Sequence, residues 1–105
     1  MDTNKVNVWE SVDMAGSLIS ASVHLNNVDH MSAHVFWTGT PTGDLYLEIS
    51  NNNIDWAEVA TAAVSGAGNQ IWLDRNTPYA FFRLRYEPTA STGTISAISI
   101  TKGDD

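Results

Sequence analysis

Apolar and polar residues alternate with a period of two along most of this chain, the mark of half-buried strands. The cleanest run is residues 44–50, where Leu45, Leu47 and Ile49 take one phase and Tyr46, Glu48 and Ser50 the other. Residues 31–38 set Ala33, Val35 and Trp37 against Ser32, His34 and Phe36. Residues 79–86 set Ala80, Phe82, Leu84 and Tyr86 against Tyr79, Phe81, Arg83 and Arg85. Two further runs are less regular. Residues 18–25 put Ile19, Ala21, Val23 and Leu25 on the inward phase with His24 opposite, and residues 5–10 put Val6 and Val8 inward with Asn7 and Trp9 outward. The β-branched run 94–101 shifts phase between Ile95 and Ile98, which predicts a bulge.

The remaining segments are read from their breakers. Residues 56–60 form a short partner strand. The small-residue stretch TAAVSGAGNQ, 61–70, is interrupted by Gly66 and Gly68 and is expected to be a loop, with a strand resuming at 71–73. Asn76-Thr77-Pro78 and PTASTG (88–93) mark turns. Roughly eight short strands with regularly spaced turns and no helix predict an all-β fold, a single antiparallel β-sandwich of jelly-roll-like type. One domain is expected over residues 1–105, with a loose tail from 101 onward.

Composition narrows the function. A hydrophobic fraction of 43% with only 16% charged residues is that of a globular domain whose surface is polar through Ser, Thr and Asn. The net charge of -7 opposes binding to nucleic acid, which requires cations to displace counterions, and to an anionic membrane. No run of apolar residues predicts a membrane span. The absence of cysteine removes disulfides, thiolate nucleophiles and Cys-based zinc sites. No apolar stretch follows Met1, so no standard secretory signal is expected.

Candidate chemistry is sparse. No serine stands in a nucleophile-elbow frame; Ser65-Gly66 is the nearest approach. Glu48 and Glu58 oppose each other across the hairpin, as two exposed acids on neighbouring strands often do. The four-residue spacing of His30 and His34 aligns metal ligands only on a helix, and here His30 is expected in a turn and His34 in a strand. His24 and His34 would be neighbours if their strands paired. The sequence therefore predicts no enzyme and no cofactor. The NNNID stretch, 51–55, carries three amides and one carboxylate, which would make a weak calcium site, and it reads as a hairpin turn. Trp56 after it is expected to close one end of the sandwich, buried. The KGD tripeptide, 102–104, matches an adhesion motif no better than chance.

One feature stands out. Trp9, Phe36, Tyr46, Tyr79 and Phe81 all fall on the polar phase of their strands, and Arg83 and Arg85 share that phase with Phe81. These seven are the candidate partner-binding residues. Exposed aromatics beside Asn and Asp suit surface glycans. Aromatics with Arg suit a protein interface, and a covering subunit accounts for them better.

The motifs WTGTPTG (37–43), DLYLEIS (44–50), NNNIDW (51–56), SGAGNQIWLDR (65–75) and YAFFRLRYEPTASTGTISAISITKG (79–103) together resemble small β-sandwich virion structural proteins of tailed bacteriophages. The likeness runs from about Val12 to Gly103 and rests on turn and core features. It implies a capsid decoration protein, head fibre or tail accessory module, oligomeric and often trimeric. Its expected partners are copies of itself and a major capsid or tail protein, and its expected place is the virion, assembled in the host cytoplasm. It implies no catalytic residue. Where such proteins have Asp-Gly in the first hairpin, this chain has Asn52-Asn53.

Overall fold

A computed structural model describes residues 3–25, 30–74, 79–90 and 92–102. Every regular element among them is a strand: β1 Thr3–Asp13, β2 Leu18–Ile19, β3 Val23–His24, β4 His30–Gly39, β5 Thr42–Ser50, β6 Ala57–Ser65, β7 Gly68–Asp74, β8 Phe81–Ala90 and β9 Gly93–Lys102. No helix among these residues is long and apolar enough to cross a membrane. Two antiparallel sheets result, ordered β1-β9-β4-β7 and β2-β8-β5-β6, with β3 also paired to β8. β2 and β3 together fill one strand position, so the nine strands occupy eight places in the strand order of a jelly roll.

The core lies between the sheets. Leu45, Leu47, Phe82, Leu84 and Tyr86 of one sheet face Ala33, Val35, Trp37, Ile95 and Ala97 of the other, all buried. The alternation of β4 and β8 is realised as the sequence predicts; in β5 it holds through Leu47, after which Glu48 and Ser50 are buried and Ile49 is half-buried. Sheet formation there needs nothing beyond the match between residue phase and one dry face.

Four expectations are corrected. Trp9 is buried, 7% exposed, because β1 carries two register shifts, between Asn7 and Trp9 and between Trp9 and Val12. An inserted residue reverses the phase, so Trp9 turns inward opposite Ala97, while Val6 is left 37% exposed. In the second run, Ser20 is buried and Ile19 is exposed. The Ser20 hydroxyl accepts the Leu84 N–H at 2.9 Å, while the Ser20 N–H donates to the Leu84 carbonyl, so a side chain replaces a backbone acceptor and splits the strand into β2 and β3. In β9 there is no bulge: the inward positions are Ile95, Ala97, Ser99 and Thr101, so Ile98 and Ile100 point outward. The stretch 61–70 is not a loop. β6 continues to Ser65, and only Gly66 and Ala67 separate it from β7.

The loose tail is corrected too, since Thr101 is buried within β9 and Lys102 still pairs with His30. Residues 103–105, and with them most of the KGD tripeptide, lie outside the described residues, as does the Asn76-Thr77-Pro78 turn. At the other end of the β4–β9 ladder, Gly39 and Gly93 face each other with φ of 89° and 144°. A Cβ on Gly93 would overlap the Thr38 carbonyl oxygen, so this close backbone approach requires glycine.

Candidate functional site

The seven candidate residues do not converge. Trp9 is in the core, Phe36 lies on the outward face of the β1-β9-β4-β7 sheet, and Tyr79 sits at the end of the sandwich beside the 51–55 turn. The structure brings Tyr46, Phe81, Arg83 and Arg85 together on the outward face of the β2-β8-β5-β6 sheet. Cross-strand pairing places Tyr46 beside Arg85, Glu48 beside Arg83 and Ser50 beside Phe81.

On that face Glu48 is the hub. Arg83 Nε donates to Glu48 Oε1 at 2.7 Å and Arg85 Nε donates to Glu48 Oε2 at 3.0 Å. Arg85 reaches Glu58 and Glu87 as well, each at 3.4 Å, and the Ser17 hydroxyl donates to Glu87 at 2.7 Å. Glu48 and Glu58 are opposed across the hairpin as the sequence predicts, yet Glu48 is 7% exposed, not open to water. Burial pushes its carboxyl up, but the hydrogen bonds and charges of Arg83 and Arg85 outweigh this and hold it below the usual glutamate range.

The aromatic rings here are already occupied. The Arg83 guanidinium lies 4.3 Å over the Trp56 ring and that of Arg85 lies 4.0 Å over Tyr46. The rings of His24 and Phe81 stack at 4.8 Å. Trp56 is thus half-buried on this face beneath a cation, and does not close the sandwich end. Trp37, which the alternation of β4 places inward, is buried, and its indole N–H donates to the Gly66 carbonyl at 2.7 Å. Both arginines of the chain's strongest strand are consumed within the face, which leaves no basic patch there for a polyanion.

The 51–55 turn holds itself. The Ser50 hydroxyl accepts the N–H groups of Asn52 and Asn53 and donates to Asn52 Oδ1. Asn52 Oδ1 also accepts the N–H groups of Ile54 and Asp55, and Asn52 Nδ2 donates to Asp55 at 2.9 Å. Asn53 sits at φ 62°. Among the described residues, no three His, Asp or Glu side chains gather where a metal could be held. His30 opens β4 instead of lying in a turn, so His30 and His34 stand roughly 13 Å apart along one strand. His24 and His34 lie in different sheets and are not neighbours. A cleft of about 320 Å³ opens beside the turn, lined by residues including Tyr79, Asn51 and Asp55.

Asn52 is therefore the organiser of the turn, and Asn53 occupies the left-handed position that glycine favours. Asn52→Ala should cost about 1–2 kcal/mol in urea unfolding, because two backbone N–H groups lose their acceptor. Asn53→Gly should be neutral to stabilising by up to about 1 kcal/mol, since a non-glycine residue there pays a strain that Gly avoids. Equal effects at the two positions would contradict this division.

Of the other outward face, Phe36 alone was found from the sequence. There Phe36, Ile71, Leu73, Ile98 and Ile100 stand on outward positions of β4, β7 and β9, with Leu73 74% and Ile71 49% exposed. A groove of about 350 Å³ runs between Phe36, Ile98 and the bulged part of β1. The signal was present in the apparent phase slip of β9, which places isoleucine on both phases, Ile95 inward and Ile98 and Ile100 outward.

No known family and no curated protein matches the sequence. Solved structures do match the fold. The PBSX exported protein XepA superposes with a TM-score of 0.74 at 13% identity, over 97% of this chain and 38% of XepA, so the chain spans little more than a third of that protein. The SPBc2 prophage-derived protein YomS superposes with a TM-score of 0.61 at 10% identity, over 95% of this chain and 92% of YomS. A family 29 carbohydrate-binding module from Piromyces equi, CBM29_1, gives 0.54 at 12% identity, over 98% of this chain and 93% of the module. At these identities the likeness is one of fold: the chain is a β-sandwich of the architecture that a prophage-derived protein and a carbohydrate-binding module share.

Proposed function

We propose that the chain is a structural module of a phage-type particle, a capsid decoration protein that self-associates and binds the particle surface without catalysing a reaction. The observation that carries this reading is the jelly-roll sandwich with Phe36, Ile71 and Leu73 exposed on one outward face. Such a face costs solubility unless something covers it. The whole-length likeness to the prophage-derived YomS supports the particle setting. A module of this kind is made in the host cytoplasm and ends in the virion. Particles prepared without the protein, mixed with purified protein and pelleted through a cushion, should carry it down saturably, at a fixed number of copies per particle. Absence of the protein from the pellet at micromolar concentrations would contradict the reading.

A second reading, adhesion to glycans, has a narrower basis. CBM29_1 shares the fold, and Tyr79, Asn51 and Asp55 line a cleft of sugar size. The aromatic rings of Tyr46 and Trp56 do not support it, because each already has a guanidinium on one face. Glycan-array binding lost on Tyr79→Ala, with the fold intact, would favour this reading.

A further inference from the structure

We propose that the outward face of the β1-β9-β4-β7 sheet binds a second copy of this chain, face to face about a two-fold axis. The inference takes the self-association proposed above and assigns it a surface; it does not depend on the particle.

Three observations carry it. The first is apolar content. Phe36, Ile71, Leu73, Ile98 and Ile100 occupy outward positions on three adjacent strands, where a solvated sheet face would carry polar residues. The register sets four of them in two rows, each with a polar residue of β4 at its middle: Ile71, His34 and Ile98 in one, Leu73, Ser32 and Ile100 in the other.

The second is charge. Two chains of net charge -7 repel unless they meet through a neutral surface. The outward positions of β4, β7 and β9 whose side chains are described carry no carboxylate, and on the edge strand β1 Asp13 stands outward opposite Thr94 and Lys5 opposite Ile100. The opposite sheet puts Asp44, Glu48, Glu58 and Glu87 outward, against Arg83 and Arg85. A partner of the same charge is repelled less by the first face.

The third is area. The β4–β9 ladder runs ten residue pairs, from His30 to Gly39. Four strands at the usual spacing and rise give a face of roughly 600 Å² before side-chain relief, the edge strand β1 with Lys5 and Asp13 included. That approaches the roughly 800 Å² per partner of a stable interface. Because the face is one patch, its self-contact is isologous and closes as a dimer, in place of the trimer that the resemblance implies.

Because the chain has no cysteine, a single introduced thiol gives a clean readout. The purified full chain should sediment as a dimer at micromolar concentration. The double variant Ile71→Glu/Leu73→Glu should raise the dimer Kd at least 100-fold while keeping the wild-type circular dichroism spectrum. Ile71 is 49% and Leu73 74% exposed, so folding survives the change. Ile98→Cys, near the centre of the face, should cross-link to a covalent dimer under mild oxidation, and Thr61→Cys on the opposite sheet should not. A wild-type monomer at 100 µM, a trimer, a dimer unmoved by the double glutamate variant, or cross-linking at Thr61→Cys in preference to Ile98→Cys would each overturn the proposal. Particle binding is scored separately: a monomer that still pellets with particles sinks the pairing and leaves the particle reading, while a dimer that fails to pellet does the reverse.

Discussion

Trp37→Ala should destabilise the domain by about 3–5 kcal/mol, the largest single loss expected. The ring is buried between the sheets at the end of β4, where the β6–β7 turn passes over it. Its indole N–H donates to the Gly66 carbonyl at 2.7 Å, and Gly68, its partner in register, packs so close that an added Cβ would touch the ring. One side chain thus fills the core and fixes the crossing from one sheet to the other. Trp37→Phe separates the two roles. It keeps most of the volume and loses the donor, so it should cost only about 1 kcal/mol beyond its packing change, because water can reach the half-exposed Gly66. Urea unfolding followed by circular dichroism checks both variants. A Trp37→Ala loss under about 1 kcal/mol would mean that the ring does not pack as described.

Glu48→Ala should cost about 1–3 kcal/mol. The size follows from position. A fully buried pair broken on one side loses about 3–5 kcal/mol, and an exposed pair contributes about 0–1. Glu48 is nearly enclosed, while its two arginines remain about a quarter exposed and can turn to water. The pair also makes stability depend on pH. The folded carboxyl titrates below the usual glutamate range, so its contribution is fully present above the unfolded value, near 4.3, and is lost as pH falls through the folded one. Glu48→Gln should therefore be less stable than wild type at pH 7, and the gap should close toward pH 3. A gap that stayed constant over that range would assign Glu48 a packing role and no electrostatic one.

Much of the fold was legible because β4, β5 and β8 keep aliphatic residues to one phase, with Phe36, Tyr46 and Phe81 the aromatic exceptions on the other. The errors fall where a second cause overrides that rule. In β1 the bulge between Asn7 and Trp9 reverses the phase, so Trp9 belongs to the core although its neighbours predict the surface. At Ser20 a hydroxyl stands in for a carbonyl, which no periodicity signals. β6 and the start of β7 are built from Ala, Ser, Thr and Gly, whose strand signal is weak, and both are edge strands where packing demands least. The candidate site was half legible. Tyr46, Phe81, Arg83 and Arg85 do share a face, as their common phase requires. Their engagement with one another and with Glu48, Trp56 and His24 depends on cross-strand register, which the sequence alone does not specify. Once those rings and cations are satisfied locally, the stronger case for a partner moves to Ile71, Leu73, Ile98 and Ile100. The outward placing of Ile98 and Ile100 is hidden from periodicity because isoleucine in a strand is ordinarily inside, which turns their spacing from Ile95 into an apparent bulge.

The choice between the two faces can be measured directly. Hydroxyl-radical footprinting of the purified protein across a concentration series reports each side chain's contact with water. Phe36, Ile71 and Leu73 should lose reactivity as concentration rises, while Tyr46, Trp56 and Phe81 keep theirs. Protection of Tyr46, Trp56 and Phe81 with Leu73 unchanged would place the interface on the ion-paired sheet and contradict the account.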